Sequence, residues 1–425
     1  MGGANVIEYL VGLIRVKAIA VFLGPEGVGL ASIVTVAISF ITTATSFGIS
    51  RAGVRGIATF NGADEPESLA KTIRLVRIGC WVTGCLGYLV TIFIASQFSD
   101  LIFKSNFSRA TVLILGGVVL LTSIGAGEKA ILQGMRRIQD IAKINIICAI
   151  LNSAIAVFTY YYFGLEGIVP VLFFSAFVSL IISSYYAKKI TINNIKISSS
   201  EVFVGIKNLS SLGVVLVVGS LMSAGLDIIV RIIIVNNNGL FSAGIYHSAW
   251  ALSGLFAGFV FTAMGADFYP RLTSIIDNKE EACRLVNEQT EIGILLVMPG
   301  VLGVMVFSKF IVTILYSESF IEAAELLPWF LIGVFGRVVS WPMGVIQLAK
   351  GEKKWLLASE TITILIQLVL VLILIPMFGL IGGAFAFALT YILFTIGMVF
   401  LSHYLIGFKW SSEVRNTLYF YLILH

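Results

Sequence analysis

Runs of about 20 mostly apolar residues follow one another from residue 4 to residue 406, each long enough to cross a bilayer as a helix. They fall roughly at 4–23, 28–50, 73–97, 111–133, 144–163 and 167–187, then at 209–235, 240–264, 287–312, 324–349, 355–376 and 380–406. The runs are continuously apolar rather than alternating, which excludes a β-barrel, and in lipid only a helix satisfies its own backbone. With 58% hydrophobic residues, 12% charged residues and a mean hydropathy of +1.00, a water-soluble domain is excluded as well. The chain reads as an all-α polytopic membrane protein of about twelve transmembrane helices.

Orientation follows from the basic residues of alternate loops. One side carries 21 of the 28 Lys and Arg residues, the other only Lys104, Arg109 and Lys309, and Arg15, Lys17, Arg231 and Arg337 lie inside spans. The basic side is cytoplasmic, so both termini are expected there. No cleavable signal peptide is expected: the first span carries Glu8, Arg15 and Lys17 and no small-residue cleavage pattern. Cys80, Cys85, Cys148 and Cys283 show neither metal-ligand spacing nor a disulfide framework.

The spans repeat. Phe163-Gly164-Leu165-Glu166-Gly167 recurs as Phe378-Gly379-Leu380-Ile381-Gly382, and Gln133 before a basic turn recurs as Gln347 before another. Arg15 precedes Gly24 by nine residues, and Arg231 precedes Gly239 by eight. Six spans in each half insert the same way up, which predicts a parallel repeat: two pseudo-symmetric six-helix lobes, 1–206 and 207–425, joined by the polar segment 188–200, with a substrate site at their interface.

Neither a phosphate-cradling Gly-Lys-Ser/Thr loop, nor a His-Glu zinc motif, nor a nucleophile elbow is present, so no catalytic residue, metal or cofactor is assigned. The chemistry rests on charges at bilayer depth, which normally face a wet cavity or a partner. Arg15 reads either as an anion ligand or as a partner of Glu8, seven residues back on the same helix face. Lys17 points elsewhere around that helix. Arg231 has Asp227 four residues back, which suits an ion pair, a ligand role or a coupling pair that opens when an anionic substrate arrives. Arg337 has no acidic neighbour at helical spacing. Arg51, at the cytoplasmic end of the second span, is a topology signal or a phosphate contact at the inner mouth. Asp267 reads as interfacial, and His247 as a satisfied polar side chain. The embedded charges sum to a positive lining that suits an anionic substrate better than a cationic drug, and nothing suggests nucleic acid binding.

Several motifs resemble the oligosaccharide-lipid flippases of the multidrug/oligosaccharidyl-lipid/polysaccharide exporter superfamily, most closely the O-antigen translocases. They are the turn from Gly24 to Leu30 (GPEGVGL), the basic loop Ile131-Leu132-Gln133-Gly134-Met135-Arg136-Arg137, Tyr269-Pro270-Arg271-Leu272, and the run from Leu315 through Trp329. The resemblance implies alternating access that carries an undecaprenyl-diphosphate-linked oligosaccharide to the periplasmic leaflet, with membrane lipid and polysaccharide polymerase machinery as surroundings. It also implies substrate-binding roles for Lys17, Arg231 and Arg337. Arg15 and Arg51 are assigned from depth and position instead. Twelve spans rather than fourteen argue against the lipid II branch, and the short stretch before the first turn suggests an incomplete amino terminus. Two rivals are a cation-coupled multidrug exporter of the same fold, which should carry acidic residues deep in its spans, and a non-transporting scaffold for polysaccharide assembly.

Overall fold

The computed structural model describes residues 2–63, 65–98, 109–190 and 198–424. Lys104, Lys196 and the middle of the joining segment 188–200 lie outside the described residues, as does the side chain of Arg109. Every regular element among the described residues is helical: α1 (Gly2–Ser46), α2 (Ile49–Gly62), α3 (Pro66–Phe98), α4 (Arg109–Gly134), α5 (Ile138–Phe163), α6 (Ile168–Lys188), α7 (Ser199–Ile275), α8 (Lys279–Val306), α9 (Ser308–Leu315), α10 (Ala323–Ala349), α11 (Lys353–Phe378), α12 (Leu380–Ile406) and α13 (Ser412–Leu424).

Nine segments among the described residues are long and apolar enough to span a bilayer, and three of them, at 37, 51 and 39 residues, hold two crossings each. Each long segment is divided at a glycine in the left-handed half of backbone space: Gly24 (φ 63°) in α1, Gly164 (φ 52°) after α5 and Gly239 (φ 83°) in α7. Twelve crossings result, as the apolar runs predict. At Gly24 and Gly239 ψ is also near 180° (−171° and 176°), a combination essentially closed to residues with a Cβ.

These breaks carry the repeat. Positive φ occurs at Gly24 and Gly239, at Arg136 and Gly351, and at Gly164 and Gly379, three pairs each 215 positions apart. Two copies of one helix-and-turn pattern thus place their backbone breaks in register, at the spacing of the Phe-Gly-Leu repeat.

The chain forms two compact units, Met1–Ile232 and Ile233–His425. In the first, the early part of α7 packs on the preceding helices through small residues. A Cβ on Gly48 would strike the Gly213 backbone, and one on Gly205 would press on Leu75. Lys71 on α3 reaches Glu201 at 2.6 Å, and this bond, with that from the Ser198 backbone amide, holds the Glu201 carboxyl below the usual range. Deeper in the unit, Arg77 grips both oxygens of the buried Glu128, Nε at 2.9 Å and Nη2 at 3.0 Å. In the second unit, α10 is the core helix, buried along much of its length, with Phe330, Leu331 and Met343 fully enclosed. Asn287 on α8 pins the segment before α13 by donating to the Lys409 carbonyl (3.0 Å) and accepting from the Ser411 amide (2.9 Å). By contrast, α11 exposes Ile362, Leu365, Val369 and Leu372, an apolar face suited to lipid.

Removing one partner of a buried pair strands the other charge. Arg77→Ala should therefore lower the unfolding stability of detergent-purified protein by about 3 kcal/mol, and adding Glu128→Gln should restore part of the loss. Equal melting temperatures for Arg77→Ala and wild type would show that the pair contributes nothing to the fold.

Candidate functional site

The first half of α1 brings Arg15 against α5. Arg15 lies close to the hydroxyl of Tyr160, a residue only 3% exposed, while Ser153 on the same helix donates to the Val11 carbonyl at 3.2 Å. Among the described residues Arg15 makes no ion pair with Glu8; the group nearest it that the structure identifies is the neutral Tyr160 hydroxyl. Ile14 and Tyr161, the sequence neighbours of this pair, line an apolar groove of about 600 Å³. Lys17 is half-buried on the same helix.

Arg231 has a different setting. Its side chain is 5% exposed and folds back along its own helix, Nη1 lying 3.1 Å from the Asp227 carbonyl and 3.7 Å from Asp227 Oδ1. The structure thus brings Arg231 and Asp227 together as the i, i+4 spacing predicts. In the second unit Arg337 is exposed and held sideways by aromatic rings, its guanidinium carbon 5.2 Å from the centre of Phe261 and 5.9 Å from that of Tyr391. Stacking of this kind orients a guanidinium while leaving its N–H edge free to donate. No carboxylate pairs with it among the described residues. Asp267 pairs with Arg271 at 3.4 Å on an exposed surface, as an interfacial residue would.

Arg51, exposed in the first turn of α2, lines a cavity of about 180 Å³. This cavity adjoins a larger one of about 450 Å³ lined by Lys129, both bounded by Thr42, Thr43 and Ala126. Sequence reasoning counted Lys129 only as a loop charge and missed these cavities. A signal was present: Thr35, Ser39, Thr42 and Ser46 recur at helical spacing along one face of an otherwise apolar span. It likewise missed Tyr160, Phe261 and Tyr391, which are distant in sequence from the arginines they hold.

Helices of this length, with apolar outer faces and charges inside their spans, define a multi-pass membrane protein. The profile of the polysaccharide biosynthesis protein family matches residues 18–325, and the chain belongs to that family. It is 26% identical over 384 residues to a putative O-antigen transporter of Shigella flexneri, covering 87% of this chain and 88% of that one. It is 22% identical over 398 residues to the lipid III flippase of Escherichia coli strain K12, covering 92% and 94%. Its fold is similar to that of the lipid II flippase MurJ in an inward closed conformation, with a TM-score of 0.77, 15% identity and coverage of 98% and 89%. An inward-facing multidrug resistance MATE transporter matches with the same TM-score of 0.77, 15% identity and coverage of 94% for both chains. The chain stands among transport proteins of polysaccharide biosynthesis, not among enzymes.

The two settings separate on stability. Arg337→Gln should melt within about 1 kcal/mol of wild type, because its side chain is exposed, whereas Arg231→Gln should lose about 2 kcal/mol through the packing of its enclosed side chain and its bond to the Asp227 carbonyl. Thermal unfolding of the purified variants measures both, and the reverse ranking would exchange the two roles.

Proposed function

We propose that the chain is a flippase that moves an undecaprenyl-diphosphate-linked oligosaccharide, an O-antigen repeat unit or a related surface-polysaccharide precursor, from the cytoplasmic to the periplasmic leaflet by alternating access. The names of its relatives support this reading, and one observation carries it: among the described residues Glu128 and Asp227 are paired with arginines, while Arg15 and Arg337 form no ion pair. Glu128 is held by Arg77 and Asp227 lies against Arg231, while Arg15 rests on a phenol and Arg337 on two aromatic rings.

A diphosphate headgroup cannot shed its hydration in hydrocarbon unless protein charges and donors replace it. Arg15, Lys17 and Arg51 on the amino-terminal helices and Arg337 on α10 are the counter-charges assigned to that task. Arg231 joins them through the opening of its Asp227 pair. The prenyl tail needs only apolar surface, and the groove beside Arg15 offers it. In this reading the cytoplasmic termini, the inner-membrane location and the division into six-span repeats at residues 1–206 and 207–425 all belong to one transport cycle. A cation-coupled drug exporter would use carboxylates at depth, and Glu128 and Asp227 are already paired with arginines.

The test is the leaflet in which the lipid-linked oligosaccharide accumulates in a strain lacking the protein. A membrane-impermeant sugar probe is applied to intact spheroplasts and to inverted vesicles. Trapping on the cytoplasmic face is expected, relieved by the wild-type chain but not by Arg15→Ala or Arg337→Ala, although both insert normally. Full periplasmic exposure without the protein would overturn the flippase reading.

A further inference from the structure

Within the first unit, the two adjoining cavities have a chemistry of their own. Seven Ser and Thr residues line the larger, and four more line the smaller. The charged residues among their linings are Lys129 and Arg51, both basic. Neither cavity has a carboxylate in its lining, so a metal cation finds no hard anionic ligand there.

Several of the lining hydroxyls are already used. Thr35 donates to the Ala31 carbonyl at 2.7 Å, Ser46 to Thr43 at 2.9 Å and Thr83 to Cys80 at 3.3 Å. Thr42, Ser123 and Ser175 depart from that habit. Their hydroxyl oxygens are buried and have no hydrogen-bond partner among the described residues, and all three line the cavities. Ser123 is only 4% exposed. Buried polar atoms are normally satisfied, so three exceptions converging on one space point to partners supplied from outside the chain. Lys129 adds a charge. Its neighbour Glu128 is held at both oxygens by Arg77, and among the described residues the Lys129 ammonium forms no ion pair.

We propose that the paired cavity is a subsite for an anionic saccharide, in which Lys129 Nζ faces a phosphate or carboxylate and the hydroxyls of Thr42, Ser123 and Ser175 bond the sugar's own hydroxyls. The pair of cavities, at about 450 and 180 Å³, has the size of a small-ligand site. Lys129 lies near the carboxyl end of α4 and Arg51 at the start of α2, both next to loops on the basic side of the membrane. The flippase reading is needed only to identify the saccharide as the headgroup end of the lipid-linked glycan, held here before or beside the Arg15 position. Binding itself is independent of it.

Purified full-length protein in lipid nanodiscs is titrated calorimetrically with glucose 1-phosphate, glucuronate, inorganic phosphate and methyl glucoside. Wild type should bind at least one of the two anionic sugars more tightly than phosphate or the neutral sugar. Preference for glucose 1-phosphate assigns the anion to a phosphate linkage, and preference for glucuronate to an acidic sugar; either supports the subsite. Lys129→Gln should weaken that binding about tenfold and Lys129→Arg should largely retain it, both with wild-type melting temperatures. Thr42→Val combined with Ser175→Ala should weaken the anionic sugar about fivefold and leave inorganic phosphate unchanged. Absence of anionic sugar binding by wild type, or unchanged affinity in Lys129→Gln, would overturn the proposal. Binding that survives in a chain shown not to move lipid-linked sugar would keep the subsite and remove the flippase reading alone.

Discussion

Hydrocarbon offers no partner to a peptide group, and each unsatisfied amide or carbonyl there costs several kcal/mol. That constraint orders everything else in this chain. It makes each apolar run a helix and restricts breaks to places where the chain can turn with few groups exposed. Gly24, Gly164, Gly239 and Gly379 do this with positive φ. It also selects how helices meet. Where α7 passes the end of α1, Gly213 faces Gly48, so the two backbones approach without intervening side chains.

Embedded charges obey the same constraint and divide into two kinds. Arg77 with Glu128, and Arg231 with Asp227, are internally compensated and read as parts of the fold. Arg15 and Arg337 are held by a phenol and by ring faces, groups that position a cation without neutralising it. Holding a cation in a fixed geometry while leaving its charge unspent is what recognition of a diphosphate requires, since a salt bridge at rest would have to break before substrate could enter.

The fold was legible in the sequence because its signals are local or periodic. Apolar length, loop charge and the Phe-Gly-Leu repeat need no knowledge of what packs against what, and the repeat reappears as backbone breaks 215 positions apart at Arg136 and Gly351 as well as at the glycines. The site was legible only where a residue was anomalous by itself. A guanidinium amid leucines announces its depth, so Arg15 and Arg337 could be picked out. Their holders could not, because Tyr160 and Tyr391 are ordinary span residues until folding sets them beside an arginine. Lys129 did not stand out for a related reason: near a helix end, a lysine reads as a topology signal whatever it faces. Its cavity is built by helices whose hydroxyls are individually unremarkable in a membrane span.

The repeat also explains why two arginines that look alike in sequence behave differently. Arg15 stands nine residues before its break at Gly24, and Arg231 eight before Gly239. One residue along an α-helix is a rotation of about 100°, so the two side chains leave corresponding helices on different faces. One reaches a neighbouring helix and Tyr160, the other is buried along its own helix on Asp227. The shared pattern sets where each helix bends, and a one-residue difference in charge placement is enough to turn the first arginine toward a neighbouring helix and the second onto its own.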